Sequence, residues 1–350
     1  MKRCNKCILP DTIPNINFDE KGICNFCNSY KPYIPQGRKA LDSIIGPIKK
    51  TGKYDCIVPL SGGRDSSFVL WLAKNELGLT PLAVNYNNEF RVDQALKNMQ
   101  NATQMLGVDF ETVGSKYGLA RKMVLSSVRA SLPAGLSWNA GDACRACNYG
   151  YRSLVFNKAV EYSIPLIFWG ETSLEATQDM EAYANKSFKP STPQKYLNKD
   201  FYKSEFYAFL HRLEFHSSGN SPFKRRIKPQ LHHPGIMEVR IFDYLQWDRS
   251  KLKTTIEQDL GWKAPEGSST TWRTDCALHS LVNYCYIKLL GCSKDSFGLS
   301  KMICADQITR EQALEREASC IQMAVEHIDE LLENIGLTKQ EIIQAKKITR

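Results

Sequence analysis

No stretch of this 350-residue chain approaches the roughly 18 consecutive apolar residues of a membrane span, which excludes a helical integral membrane protein. The opening Met1-Lys2-Arg3-Cys4 has no apolar signal-peptide region, so a cytoplasmic protein is expected. There is no internal repeat and no low-complexity tract, which leaves out solenoids, propellers and linker-like chains. The Gly-Lys-Ser/Thr ending of a P-loop is also missing after the first glycine-rich turn, which sets aside that class of nucleotide site.

What is present describes a globular protein with a real core. Hydrophobic residues make up 43% and charged residues 24%. The length fits one large or two medium domains. The net charge of +9 suits a polyanionic partner such as RNA, and equally an enzyme whose substrates carry diphosphates, so it decides nothing alone. Twelve cysteines in a chain expected in a reducing compartment point to metal ligation or catalysis rather than disulfides.

The most informative stretch is Asp55-Cys-Ile-Val-Pro-Leu-Ser-Gly-Gly-Arg-Asp-Ser-Ser67. Its apolar run reads as a buried parallel strand over 55–60, and a helical pattern follows over 66–77. Strand, glycine-rich turn and helix N-terminus make a phosphate cradle, because the two glycines let amides turn inward and the helix dipole favours an anion.

Cys4-x-x-Cys7 and Cys24-x-x-Cys27, sixteen residues apart, fall within the spacing of a four-thiolate zinc site, with iron the alternative ion. A segment so rich in turns and so poor in apolar residues needs such a staple to fold. All four positions are taken by protein, so the role expected is structural.

From residue 55 onward, apolar runs alternate with helical periods. Strands are expected at 81–86, 108–113, 165–169 and 239–242, and helices at about 92–106, 117–130, 149–163 and 249–260. That alternation specifies right-handed βαβ units and an α/β fold with a parallel sheet. Ligands then bind beyond the carboxyl ends of the strands, where Ser61–Ser66, Asn85-Tyr86-Asn87 and Gly170-Glu171 collect. Asn85 and Asn87 read either as ligand contacts or as satisfied turn residues.

Cys144 and Cys147 open a helix beside arginines, where a thiol has a depressed pKa and is suited to nucleophilic or metal chemistry; a pair of buried small residues is the alternative. Residues 175–235 are polar and aromatic, with a basic run Lys224-Arg225-Arg226 and with His232-His233 as turn residues. The last third is a helical region, with Thr309 opening a Thr-x-x-Gln capping box. Cys285, Cys292, Cys304 and Cys320 show no metal spacing and read as helix-face core residues.

Ser61-Gly-Gly-x-Asp65-Ser66 after a buried strand resembles the PP-loop of the ATP pyrophosphatases, which split ATP into AMP and pyrophosphate. That resemblance implies that Ser61, Gly62, Gly63, Asp65 and Ser66 bind the pyrophosphate end of ATP, with Asp65 near Mg²⁺ and with Val84 and Asn85 at adenine. With the cysteine spacing and the helical periods, the chain is expected to divide into a zinc-binding module (1–32), a PP-loop domain (50–250) and a helical C-terminal region (251–350).

Across nearly the whole chain the motifs resemble those of the bacterial N-acetyl sugar amidotransferases. They include Cys4-x-x-Cys7-Ile-Leu-Pro10, Gly22-Ile-Cys-Asn-Phe-Cys27, Ser61–Ser66, Cys144–Cys147, Gly170-Glu171, Asp243-Tyr-Leu-Gln-Trp247 and Trp272-Arg-Thr-Asp-Cys276. Arg64 stands where lysine is common in that family's loop and joins Asp65 and Ser66 in the expected catalytic set.

The implied reaction converts an N-acetyl group of a nucleotide-linked surface or O-antigen sugar into an acetamidino group through an adenylated imidate. No glutaminase signature is present: Lys2 stands where an N-terminal cysteine nucleophile would be, and no Gly-x-Cys-x-Gly elbow occurs. Ammonia is therefore expected from separate glutaminase and cyclase-like subunits, with neither membrane nor nucleic acid as partner.

The alternative is a PP-loop tRNA thiolase, which Cys144-x-x-Cys147 before Gly170-Glu171 also resembles. On that reading Cys144, Cys147 and Cys276 hold a [4Fe-4S] cluster or a persulfide, although Cys276 lies further downstream than the third cysteine of the thiolases. A plain structural role for the three remains open.

Overall fold

The computed structural model describes residues 1–48, 52–131, 144–172, 199–215, 235–266, 275–326 and 328–345. The basic run Lys224-Arg225-Arg226, the pair His232-His233 and Trp272-Arg273 lie outside them.

Five strands form one parallel sheet in the order β3-β2-β1-β4-β5: β1 (Cys56–Pro59), β2 (Pro81–Asn87), β3 (Phe110–Gly114), β4 (Leu166–Trp169) and β5 (Met237–Arg240). The central strands are short and buried on both faces, which is why they read as continuous apolar runs. Helix α1 (Asn25–Asn28) lies in the cysteine-rich segment and α2 (Arg38–Ile45) precedes the sheet.

Between β1 and β2 the chain makes α3 (Arg64–Trp71), continued by a π-helical turn, Leu72–Glu76. Helix α4 (Asp93–Leu106) joins β2 to β3, and α5 (Leu119–Ser131) and α6 (Arg145–Glu161) come before β4. The strand order reverses between β1 and β4, so the switch point of the sheet lies directly above the glycine-rich turn.

Alternation along the strands splits the core in two. Ile57, Leu82, Val84, Ile167 and Trp169 pack with Leu154, Phe156 and Ala159 of α6. Val58, Ala83 and Phe168 belong to a larger cluster on the other face. That cluster runs without a break through Phe68 and Phe242 into the C-terminal helices and the cysteine-rich segment.

The C-terminal helices are α8 (Arg249–Leu260), α9 (Leu278–Leu290), α10 (Asp295–Cys304), α11 (Arg310–Glu326), α12 (Ile328–Ile335) and α13 (Lys339–Ala345). Ahead of α11 the capping box is reciprocal: the Thr309 amide donates to Gln312 Oε1 at 3.1 Å, and the Gln312 amide to Thr309 Oγ1 at 3.2 Å.

Two elements depart from expectation. Helix α7 (Lys199–Phe215) occupies part of the stretch read as polar and aromatic, and it packs on α5 and α6. Its aromatic and charged residues circle the helix without an apolar stripe, so no helical period was visible. The last strand stops at Arg240, and Ile241–Asp243 turn as a 3₁₀ helix that buries Ile241 and Phe242. No described helix is long and apolar enough to cross a membrane.

Phe168 is fully buried on the central strand β4. Phe168→Ala is expected to cost about 3–5 kcal/mol through lost burial and the cavity left behind, read as a lower urea midpoint.

Candidate functional site

The turn after β1 is built to present backbone. Gly62 has φ +79°, and a Cβ there would stand 2.1 Å from the carbonyl oxygen of Ala95, so glycine is required by both conformation and space. Its carbonyl accepts from Trp262 Nε1 at 3.0 Å and from Asn98 Nδ2 at 3.2 Å. Ser66 Oγ lies 3.1 Å from Ser61 Oγ and accepts from the Ser61 amide at 3.2 Å, drawing the loop over the start of α3. The first-turn amides of α3 have no intrahelical acceptor, and they face the sheet's carboxyl edge as an anion cradle.

Arg64 and Asp65 enter α3 as a pair. The guanidinium is almost completely buried, donates to both Asp65 oxygens at 2.9 and 2.8 Å, and lies 4.7 Å over the ring of Trp247. Trp247 Nε1 donates to Asp65 Oδ1 at 2.9 Å. Both carboxylate oxygens therefore have protein donors, and Arg64 is first of all the counter-ion of Asp65.

The expected ligand contacts separate by strand parity. Val84 is buried with α6 on the far face, so its side chain is not brought to the loop. Asn85, one residue beyond the Pro59–Val84 pair, is level with the loop's start, and both its amide nitrogen and its oxygen are buried without a partner. An orphaned carboxamide beside a phosphate cradle is the arrangement a heterocycle with adjacent donor and acceptor would satisfy. Asn87 is instead a turn residue, its Oδ1 accepting from the Glu89 amide at 2.9 Å.

Gly170 packs on α3, where a Cβ would meet the Asp65 carbonyl at 3.4 Å. Glu171 points away, its Oε1 accepting from Arg152 at 2.7 Å and from Tyr151 at 3.1 Å.

Sequence reading missed Asp275. Its carboxylate stands against Gly63, with Cγ 3.6 Å from where a Cβ would be, and it pairs with Arg91 at 2.8 Å. The Asp of the Trp272–Cys276 motif was the available signal. Asp275 is a second carboxylate beside the cradle, with Asp65.

Cys276 follows, half-buried, with Asn88 Nδ2 donating to its sulfur at 3.4 Å. Burial pushes its thiol up to about 11, and Cys144 is close enough to add to that shift. Cys144 is thus within electrostatic range of Cys276, while the Cys147 side chain lies outside the described residues.

The second centre is the cysteine cluster. The sulfurs of Cys4, Cys7, Cys24 and Cys27 lie within 4.8 Å of one another and are all buried. Cys4–Cys27 and Cys7–Cys24 are 3.9 and 3.7 Å apart. A tetrahedral ion with metal–sulfur bonds of about 2.3 Å needs sulfurs about 3.8 Å apart, so the set fits one zinc. It does not fit a cluster, whose thiolates each bind a different iron and stand further apart. Hydrogen bonds from the thiols of Cys7 and Cys27 hold Cys4 and Cys24 low, the form a metal takes.

Arg310 donates to the carbonyls of Cys7 and Cys4 at 3.1 and 3.3 Å, and Arg3 pairs with the buried Glu317 at 2.6 Å. The knuckles are thereby fastened to α11. Cys304, read as an ordinary core residue, instead places its sulfur 3.5 Å from Cys27, outside the group of four. A separation of 277 residues hides that contact from any spacing rule.

No family model matches the chain. A segment of 120 residues is 33% identical to the uncharacterized protein MJ1599 of Methanocaldococcus jannaschii, over 33% of this chain and 43% of that protein. The match thus spans less than half of the relative's length. Among solved structures, the chain is similar to the U34-tRNA thiolase NcsA from Methanococcus maripaludis with its [4Fe-4S] cluster. That likeness covers 96% of this chain and 90% of the other, at 14% identity and a TM-score of 0.41, too distant to carry a functional argument.

Two outcomes are expected. Gly62→Ala should displace the loop from α4 and abolish nucleotide binding measured by calorimetry, while zinc content is retained. Cys24→Ser should remove the zinc found by metal analysis of the wild type and lower the melting temperature, because α11 loses its fastening.

Proposed function

We propose that the chain is an ATP-dependent enzyme that transfers AMP to a carbonyl oxygen of its substrate, releasing pyrophosphate. The observation that carries this reading is the Ser61–Ser66 turn at the sheet's switch point, with the orphaned Asn85 amide level with its start. The loop amides cradle the departing pyrophosphate, and Asn85 meets the adenine edge. Mg²⁺, held at Asp65 and Asp275, would neutralise charge on the phosphates. Arg91, paired to Asp275, keeps that carboxylate aimed at the loop.

The acceptor we favour is the acetamido group of a nucleotide-linked sugar, on the strength of the motif agreement along the chain. The amide oxygen attacks the α-phosphorus and pyrophosphate leaves; ammonia adds to the imidate carbon, and AMP departs to give the acetamidine. Ammonia comes from separate partner subunits. Zinc at Cys4, Cys7, Cys24 and Cys27 has a structural role, since no open coordination position is left.

A second reading, sulfur transfer to an adenylated tRNA base, is favoured by one observation: Cys276 follows Asp275, which stands against Gly63 of the loop, and lies within electrostatic range of Cys144. A [4Fe-4S] cluster there would need a third thiolate, for which Cys147 is the candidate.

Both readings are tested together. With ATP and ammonium in place of the partner, a panel of nucleotide-linked N-acetyl sugars should yield AMP, pyrophosphate and a product in which nitrogen has replaced the carbonyl oxygen. Asp65→Asn should lose pyrophosphate release while keeping zinc and fold. Thiolated nucleosides formed from tRNA with a sulfur donor, together with iron lost in Cys144→Ala, would establish the second reading instead. ATP turnover with neither acceptor would refute both.

A further inference from the structure

A cavity of about 470 Å³ lies between the start of α8, the end of α10 and the first half of α11. Its walls include Trp247, Asp248, Arg249, Lys253, Gln307 and Arg316. That volume suits a small molecule and is not the extended groove a nucleic acid strand requires.

Its chemistry is cationic. Trp247 connects it to the loop, since this lining residue has its indole under the Arg64 guanidinium and donating to Asp65. Arg249 is pulled down to about 10, first by burial and then by the charges of Arg316 and Arg64; Arg316 is lowered by burial and by Arg64. Asp65 partly offsets the charge on Arg249 and Glu315 that on Arg316, but the acids around the cavity have other partners as well. Asp248 Oδ1 caps α8 by accepting from the amides of Ser250 and Lys251, Asp65 holds Arg64, and Lys253 has Glu257 at 3.5 Å.

Among the described residues Arg316 is in no ion pair or hydrogen bond. Crowding guanidiniums around a cavity costs folding stability, and an anion spanning them repays it. A second feature narrows the ligand. Gln307 Oε1 is buried without a donor, while its Nε2 donates to the Trp247 carbonyl at 3.3 Å. An oxygen in that position takes a hydroxyl or imide N–H, such as a ribose or a uracil carries.

We infer that this cavity binds the nucleoside diphosphate moiety of the nucleotide-linked substrate, at a site separate from the loop that takes ATP. Arg249 and Arg316 bridge the diphosphate and Gln307 accepts from its sugar or base. The inference deepens the sugar reading of the site and rests on it for the identity of the acceptor. Its physical content, a second nucleotide site, can be tested without any turnover.

The probe is UDP, whose pyrimidine distinguishes it from the adenine nucleotide. UDP binding is measured by calorimetry on the zinc-loaded protein, alone and with a non-hydrolysable ATP analogue saturating the loop. UDP is expected to bind equally well in both conditions. Arg316→Gln and Arg249→Gln should each weaken UDP at least about tenfold, since each removes a charge-assisted hydrogen bond to phosphate, and leave the affinity for the ATP analogue unchanged. Without UDP, Arg316→Gln should melt no lower than wild type, because it relieves repulsion; the melting shift caused by UDP should disappear.

Competition between UDP and the ATP analogue would overturn the inference. So would UDP affinity unaltered in both variants, or tRNA displacing the analogue while UDP does not bind. ATP turnover without UDP binding would sink the cavity assignment alone. UDP binding that the variants abolish, in a protein that makes no amidine, would sink the sugar amidation and keep the second site.

Discussion

The site depends on one close approach of backbone to backbone. Gly62 rests against Ala95 at a distance that admits no side chain, and this contact sets the height of the loop above the sheet. The carbonyl that would otherwise be stranded is taken by Trp262 and Asn98, and Asn98 Nδ2 also donates to the Lys263 carbonyl at 2.8 Å. The strand–turn–helix unit is local in sequence. Its clamp comes from residues about 36 and 200 positions away.

A buried ion pair extends that dependence. Arg64 has exchanged water for Asp65 and the face of Trp247, a trade that succeeds only because the guanidinium forms a bidentate pair and lies over an aromatic ring. Replacing arginine by lysine would keep the charge and lose both geometries. Trp247 thereby ties the first turn of α3 to the segment ahead of α8, so the loop and the basic cavity share one rigid wall.

The cysteine cluster serves the same architecture from the other end. Its knuckles expose carbonyls that Arg310 takes, and Arg3 closes onto Glu317 within the protein. The short N-terminal segment therefore fastens α11, the helix that carries Arg316. A four-thiol cluster at one end and a cationic cavity at the other are properties of a single helical layer packed on one face of the sheet.

The sequence by itself determined what local chemistry dictates. The parallel sheet was legible because its strands are buried on both faces and punctuated by helices. The cradle was legible from Ser61-Gly-Gly, and the metal site from two Cys-x-x-Cys pairs. Helix α7 was not, because it lacks an apolar stripe.

Tertiary structure alone decided which long-range partners complete the site. Nothing near Gly63 in the chain announces Asp275, nor does Cys27 announce Cys304, nor Arg249 announce Arg316. Strand parity separated Asn85, orphaned and level with the loop, from Val84, packed under α6. The reason is physical. Spacing rules report neighbours that a single element or turn holds together, whereas a clamp, a second carboxylate or a cluster of like charges exists only once separate elements are packed.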